Sequence, residues 1–186
     1  MIEKVIRHTH QHLVLRRFHH VMRQRNIVIL GDSISHDLRG PSNFARHGMH
    51  SAELIERLPN HQEAIDSADI VLMMIGVNDL LLRMSAADLC ANVHTLAERI
   101  QTPILWTLVM PAPVPSWELA MVNHTIRSLV GVHRHVWTLD MAPVLQKSPR
   151  YFRPDGIHLS PQGYQAWTRS LMASMWVATP ALAVTN

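Results

Sequence analysis

The serine in Ile29-Leu30-Gly31-Asp32-Ser33-Ile34-Ser35 follows an apolar run, where a strand turning straight into a helix leaves a hydroxyl exposed at a sheet edge. Such a hydroxyl becomes a nucleophile near neutral pH only beside a base, and a histidine, with an ordinary pKa of about 6.5, can serve. The base in turn needs a carboxylate that fixes the imidazole's tautomer and stabilises its charged form. The stretch "DGIHLSPQG" at 155–163 holds both groups three residues apart, so one turn of a rigid loop can join them. On this reading Asp155 orients, His158 accepts the proton and Ser33 attacks.

An attacked carbonyl develops an oxyanion, whose donors must be in place beforehand; losing one costs about 2.7–4 kcal/mol. The candidates are the backbone N–H of Ser33, the side-chain amide of Asn78 in "GVND" at 76–79, and the N–H of Gly48 in "ARHGMHS", where no side chain blocks the approach. Each residue also has an ordinary reading. Ser33 alone reads as a helix cap, and Asn78 as the close of a turn. His158 reads as a loop histidine before a helix that Ser160 caps and Pro161 begins. Ser35 competes as nucleophile from inside the first helical turn.

Holding these groups falls to short apolar runs at 26–31, 69–76, 103–110 and 135–140. Runs apolar at every position mark strands covered on both faces, as in parallel sheets. A weaker fifth strand is expected near 44–47, and helical patterns cover 50–58, 85–101, 116–131 and 161–178. Strands alternating with helices predict the α/β class, as a three-layer α/β/α sandwich with right-handed crossovers. Ligands in such sheets bind at the carboxyl ends of the strands.

At 186 residues and 47% hydrophobic, the chain suits one core, expected as a single domain with an extension over 1–24 and a catalytic core over 26–178. In the extension, Ile2, Val5, Ile6, Leu13, Val14, Phe18, Val21 and Met22 recur at helical spacing among Lys4, Arg7, Arg16, Arg17 and Arg23. This predicts an amphipathic helix packed on the domain or on a second copy, which would make a homo-oligomer; docking to an acidic partner or membrane surface is the alternative. The histidines at 8, 10, 12, 19 and 20 have no matching acid or cysteine set, and read as a solvated polar face, with no metal.

A formal charge of +3 with 14 histidines is too weak and dispersed to favour nucleic acid as a partner. The single Cys90 cannot form an internal disulfide, which is compatible with a reducing compartment. No run approaches the roughly 18 apolar residues of a membrane span, and "LVL" at 13–15 is too short for a signal-peptide core. The expectation is a soluble cytoplasmic protein without membrane insertion; an Arg-rich start with one acid, Glu3, also fits an organellar targeting segment.

Gly31-Asp32-Ser33, Gly48, Gly76-Val77-Asn78-Asp79 and Asp155-Gly156-Ile157-His158 resemble, in order and spacing, the four blocks of the SGNH (GDSL-type) hydrolase family. The resemblance covers residues 26 to about 175. It implies a flavodoxin-like sandwich with five parallel strands, and serine esterase chemistry without a metal or other cofactor. By position, Ser33 matches the family nucleophile, Gly48 and Asn78 its oxyanion donors, and Asp155 with His158 the rest of its triad; Asp32 and Asp79 match loop supports. One departure lies around Gly48, where Arg46, His47, Met49 and His50 replace the glycines and the acid or threonine of many relatives.

The expected function is a serine hydrolase acting on small carboxylic esters or thioesters through an acyl-enzyme at Ser33. The chain leaves little material for a lid, which favours short acyl groups. "MPAPVPSW" at 110–117 and Leu80, Leu81 and Leu82 either line an acyl pocket or simply pack as apolar loops. Met73, Met74, Met84, Trp106 and Trp137 read as core packing. The alternatives are a carbohydrate acetyl esterase or an acyltransferase of the same fold, and, in another class, a catalytically silent binding module that docks through its first helix.

Overall fold

The apolar runs become the strands of one parallel sheet. The computed structural model describes residues 18, 20, 21, 24–38, 40 and 42–175 with their side chains, and 176–182 as backbone. Strands β1 (Ile27–Gly31), β3 (Ile70–Met74) and β4 (Ile104–Thr107) are buried along their whole length, as continuous apolar runs require. β5 (Val136–Leu139) is buried only at its ends, and β2 (Ser42–Asn43) is half-buried, because these two form the edges. The order is β2-β1-β3-β4-β5 with every pair parallel, the flavodoxin-like arrangement.

The edge strand differs from the one expected near 44–47. The paired residues are Ser42 and Asn43, opposite Val28 and Ile29, while the Phe44 and Arg46 N–H groups still donate to the Ile29 and Gly31 carbonyls at 2.9 and 3.0 Å. A two-residue polar edge carries no periodicity to read. Its loop is closed by the Asn43 side-chain amide, which donates to the carbonyls of Ser35, His36 and Leu38 at 3.1, 3.2 and 2.5 Å.

The helices are α1 (Ser33–His36), α2 (Ser51–Arg57), α3 (Gln62–Asp66), α4 (Val77–Leu81), α5 (Ala86–Arg99), α6 (Ser116–Val132), α7 (Ala142–Leu145) and α8 (Pro161–Leu182), with 3₁₀ turns over Leu58–His61 and Pro149–Tyr151. The four long patterns lie where their spacing placed them. The helices of four or five residues are shorter than the periodicity that would reveal them. In α5 the Ser85 hydroxyl caps the Asp88 N–H, and Leu89, Val93 and Leu96 turn one buried stripe toward the sheet.

Helices cover both sides of the sheet. α2 packs on α5 and α5 on α6, while α8 lies against β5. There the Trp167 indole N–H donates to the Thr107 hydroxyl at 3.1 Å, joining α8 to the core of β4. The close approach at the start of α8 depends on Gly163, because a Cβ there would lie 2.1 Å from the Tyr151 carbonyl oxygen. Phe18 is buried in the core, and the rest of the expected 1–24 helix lies outside the described residues apart from His20, Val21 and Gln24, which are helical. Among the described residues no helix is long and apolar enough to cross a membrane.

Two glycine substitutions of opposite sign follow. Gly131 in α6 has open space at its Cβ position, so Gly131→Ala raises stability by about 0.5 kcal/mol through helix propensity. Gly163→Ala forces backbone apart and lowers it by about 2 kcal/mol or more, read as the difference in urea-unfolding free energy.

Candidate active site

The chain leaves β1 for β2 on one side and then crosses to β3 on the other, so the carboxyl ends of β1 and β3 flank the switch point where such sheets hold their ligands. The serine block sits there. Gly31 ends β1 at φ +141°, and a Cβ on it would lie 2.0 Å from the Met74 carbonyl oxygen of β3. The Asp32 N–H donates to that same carbonyl at 3.2 Å, and its carboxylate oxygen Oδ1 accepts the Ile34 N–H at 2.9 Å, which fixes the start of α1.

Ser33, only 7% exposed, places its Oγ 3.0 Å from His158 Nε2. On the far side of the ring, His158 Nδ1 lies 2.8 Å from Asp155 Oδ2. The other oxygen of Asp155 accepts the N–H groups of Ile157 and His158, each at 2.9 Å. Those two backbone bonds, followed by the bond to the imidazole, pull the Asp155 carboxyl down to about 2. Ser35 is buried and donates its hydroxyl to the Met74 carbonyl at 3.5 Å, so Ser33 is the serine that meets the imidazole. Ser160 accepts the Gly163 N–H at 3.2 Å, the cap expected after His158.

The loop carrying Asp155 and His158 is pinned by residues the sequence did not single out. The Arg153 guanidinium donates to Asp37 Oδ2 at 2.9 Å and to the Leu159 carbonyl at 3.2 Å, and its N–H bonds the His158 carbonyl at 2.7 Å. Tyr164 donates its hydroxyl to the Ile34 carbonyl at 3.0 Å and reaches Asp37 Oδ2 at 3.4 Å. Burial above all, and then the Asp37 charge, push its phenol well above the ordinary range and keep it a donor. Arg153 and Asp37 stand 116 residues apart, so no local pattern announces them.

Gly48 lies in an exposed turn at φ +73°, a conformation that favours glycine. Asn78, in the first turn of α4, donates its side-chain amide to the carbonyl of Met49 at 2.8 Å, which couples the second block to the third. Asp79 is fully buried and accepts both the Ser51 N–H, at 3.0 and 3.1 Å, and the Ser51 hydroxyl, at 2.5 Å; Asn92 donates to that hydroxyl at 2.9 Å. Ser51 and Asn92 were not foreseen either. Of the residues departing from the family pattern, Arg46 and His47 are exposed beside Gly48, Met49 is buried, and His50 caps α2 by accepting the Glu53 N–H at 3.3 Å.

The family model for GDSL-like lipases and acylhydrolases matches residues 23–166. The chain belongs to that family. Its fellow members' activity makes it an ester-hydrolysing enzyme. No curated protein sequence matches the chain. Among solved structures it is similar to an acetyl esterase mutant with an acetate ion, at 13% identity and a TM-score of 0.69, covering 84% of this chain and 98% of that one. It is similar to a carbohydrate esterase of family 3 from Talaromyces cellulolyticus, at 14% identity and 0.68 over 82% and 96%. A lipolytic G-D-S-L family protein from Veillonella parvula matches at 16% identity and 0.66 over 79% and 96%.

In this GDSL-family chain, residues 80–81, 83–84 and 113–115, joined by Glu118, line an open cavity of about 530 Å³. Leu80 and Leu81 face it, while Leu82 and Trp117, outside its lining, are 63% and 64% exposed. The family's serine turn also holds an unusual carboxyl. Asp32 is fully buried, and its Oδ2 has no hydrogen-bond partner among the described residues. Burial pushes Asp32 up to about 7, although the Ile34 and Ser35 N–H groups and the charge of His158 pull the other way.

That carboxyl gives stability a pH dependence of definite sign. Unfolded, Asp32 loses its proton near pH 4; folded, it holds the proton until about 7, so the folded state binds more protons between these values. Its contribution to stability therefore falls as pH rises from about 4 to 7. Asp32→Asn, which keeps the cap, removes this loss: its melting temperature relative to the native chain rises across that window, by an equivalent of up to about 4 kcal/mol for a three-unit shift.

Proposed function

We propose that this GDSL-family enzyme hydrolyses small carboxylic esters or thioesters through an acyl-enzyme on Ser33, with His158 as general base and Asp155 orienting the imidazole. The observation that supports it is the unbroken relay from the Ser33 hydroxyl through both ring nitrogens of His158 to a carboxylate held ionised by two N–H groups. His158 takes the serine proton as Oγ attacks the ester carbonyl, and returns it to the departing alkoxide or thiolate. Water then attacks the acyl-serine by the same route, and serine is regenerated.

The oxyanion falls to the N–H groups of Ser33 and Gly48 and to the side-chain amide of Asn78. A primary amide has two N–H donors, so the bond from Asn78 to Met49 leaves one available. The residue-level fit also explains why Asp79 is buried beside them: its bonds to Ser51 hold α2, and with it the Gly48 turn, against α4. Ordered donors gain nothing by moving during reaction, which is why such rigidity favours the transition state.

The acyl group is assigned to the cavity lined by 80–81, 83–84 and 113–115, because these segments follow the carboxyl ends of β3 and β4, the end of the sheet that carries Ser33. The leaving group then faces the exposed rim of Arg46 and His47. A carbohydrate acetyl ester is the second substrate reading, favoured by the likeness in fold to an acetyl esterase and a family 3 carbohydrate esterase.

Turnover of p-nitrophenyl acetate, butyrate and octanoate tests the proposal. The native chain is expected to cleave the short esters best, with a chelator present, and Ser33→Ala to lose at least about a thousandfold in kcat. General-base catalysis requires the rate to fall as the pH is lowered from about 8 to 5, and Asp155, ionised down to about 2, does not cause that fall. A profile flat across that range, or turnover surviving Ser33→Ala, would overturn the assignment.

A further inference from the structure

Beside the serine turn lies a cluster that takes no part in the bond-making steps of the proposed hydrolysis. His36 ends α1, Asp37 follows it, and His47 stands directly before Gly48; one ligand atom from each lies within 4.8 Å of the others. The two imidazoles come from separate segments, with ring centroids 4.2 Å apart and planes tilted by 46°. His36 Nδ1 is 3.7 Å from Asp37 Oδ1, too long for a hydrogen bond.

We propose that His36, Asp37 and His47 bind a divalent transition-metal ion of the zinc type at the rim of the site. Zinc bonds nitrogen at about 2.0–2.1 Å and carboxylate oxygen at about 2.0–2.2 Å, so ligand atoms of a tetrahedral site stand roughly 3.3 Å apart. One pair is already near that spacing at 3.7 Å, and the 4.8 Å span closes by rotation of exposed side chains. Two imidazoles and one carboxylate form a set that suits zinc, copper or nickel better than calcium or magnesium, which take oxygen ligands. Exposure of all three leaves the fourth position to water.

The carboxylate is also divided in the manner of a supported ligand. Its Oδ2 accepts the Arg153 guanidinium at 2.9 Å and the Tyr164 hydroxyl at 3.4 Å, which leaves Oδ1 turned toward His36. Ligating carboxylates are commonly held in this way by outer hydrogen bonds. The Arg153 charge opposes a second cation nearby, and this places the expected affinity in the micromolar range rather than that of a closed four-ligand site. Where the ion sits gives it a consequence that rests on the proposed function: it would tie α1, which carries Ser33, to the turn carrying Gly48.

Binding is measured without any ester, so the outcome is independent of the catalytic assignment. Apoprotein of the full chain is titrated with zinc by calorimetry, alongside His36→Asn, His47→Asn, and a variant in which His8, His10, His12, His19 and His20 are all asparagine. Circular dichroism and melting temperature establish that each is folded. The expected result is one ion per chain retained by the five-histidine variant and weakened at least tenfold by either His36→Asn or His47→Asn made in that background. Absence of binding below about 100 μM in the five-histidine variant, or affinity unchanged by the two further substitutions, would overturn the proposal.

Discussion

One hydrogen bond, 3.0 Å long, joins the turn after the first strand to a loop near the end of the chain, 125 residues away. Ser33 and His158 have no local reason to meet. Their approach requires β1 held inside the sheet between β2 and β3, α8 packed back on β5, and the 155–158 loop fixed between them. Each requirement resolves into a close contact. Gly31 lets β1 press against the Met74 carbonyl, Gly163 lets α8 press against Tyr151, and Arg153 fastens the histidine loop to Asp37 beside the serine helix.

Buried polar groups set the remaining distances. An unpaired polar group in a core costs about 1–3 kcal/mol, so a fully satisfied network selects one arrangement strongly. Asp79 with Ser51 and Asn92 behaves in this way: the carboxylate accepts backbone and hydroxyl together, and α2, α4 and α5 can be registered in only one relation. Asp32 is the opposite case. Its Oδ1 caps α1 while its Oδ2 has no hydrogen-bond partner among the described residues, so the turn that carries Ser33 is built around a carboxyl more comfortable neutral than charged. The two acids flank the site with different tasks, Asp79 fixing geometry through satisfied bonds and Asp32 holding a turn at an electrostatic cost.

The legible and illegible parts of the structure divide along physical lines. The central strands were readable because burial on both faces demands uninterrupted apolar residues, as in 27–31 and 70–74. Long helices announced themselves by a buried stripe such as Leu89, Val93 and Leu96. The edge strand at Ser42 and Asn43 did not, since a two-residue half-buried edge selects no pattern. Short helices α3, α4 and α7 escaped for the same reason of length.

By itself the sequence determined the candidate reactive groups: a serine after a strand, and an acid and a histidine three residues apart. Chemistry constrains residue type, and residue type is what a sequence records. Only tertiary structure decided which partners stabilise them. The pairs Asp37–Arg153, Asp79–Ser51 and His36–His47 join positions whose spacing along the chain carries no periodicity. Surface and interior polar pairs depend on the directions in which separate elements present their side chains, and those directions exist only once the sheet has been assembled.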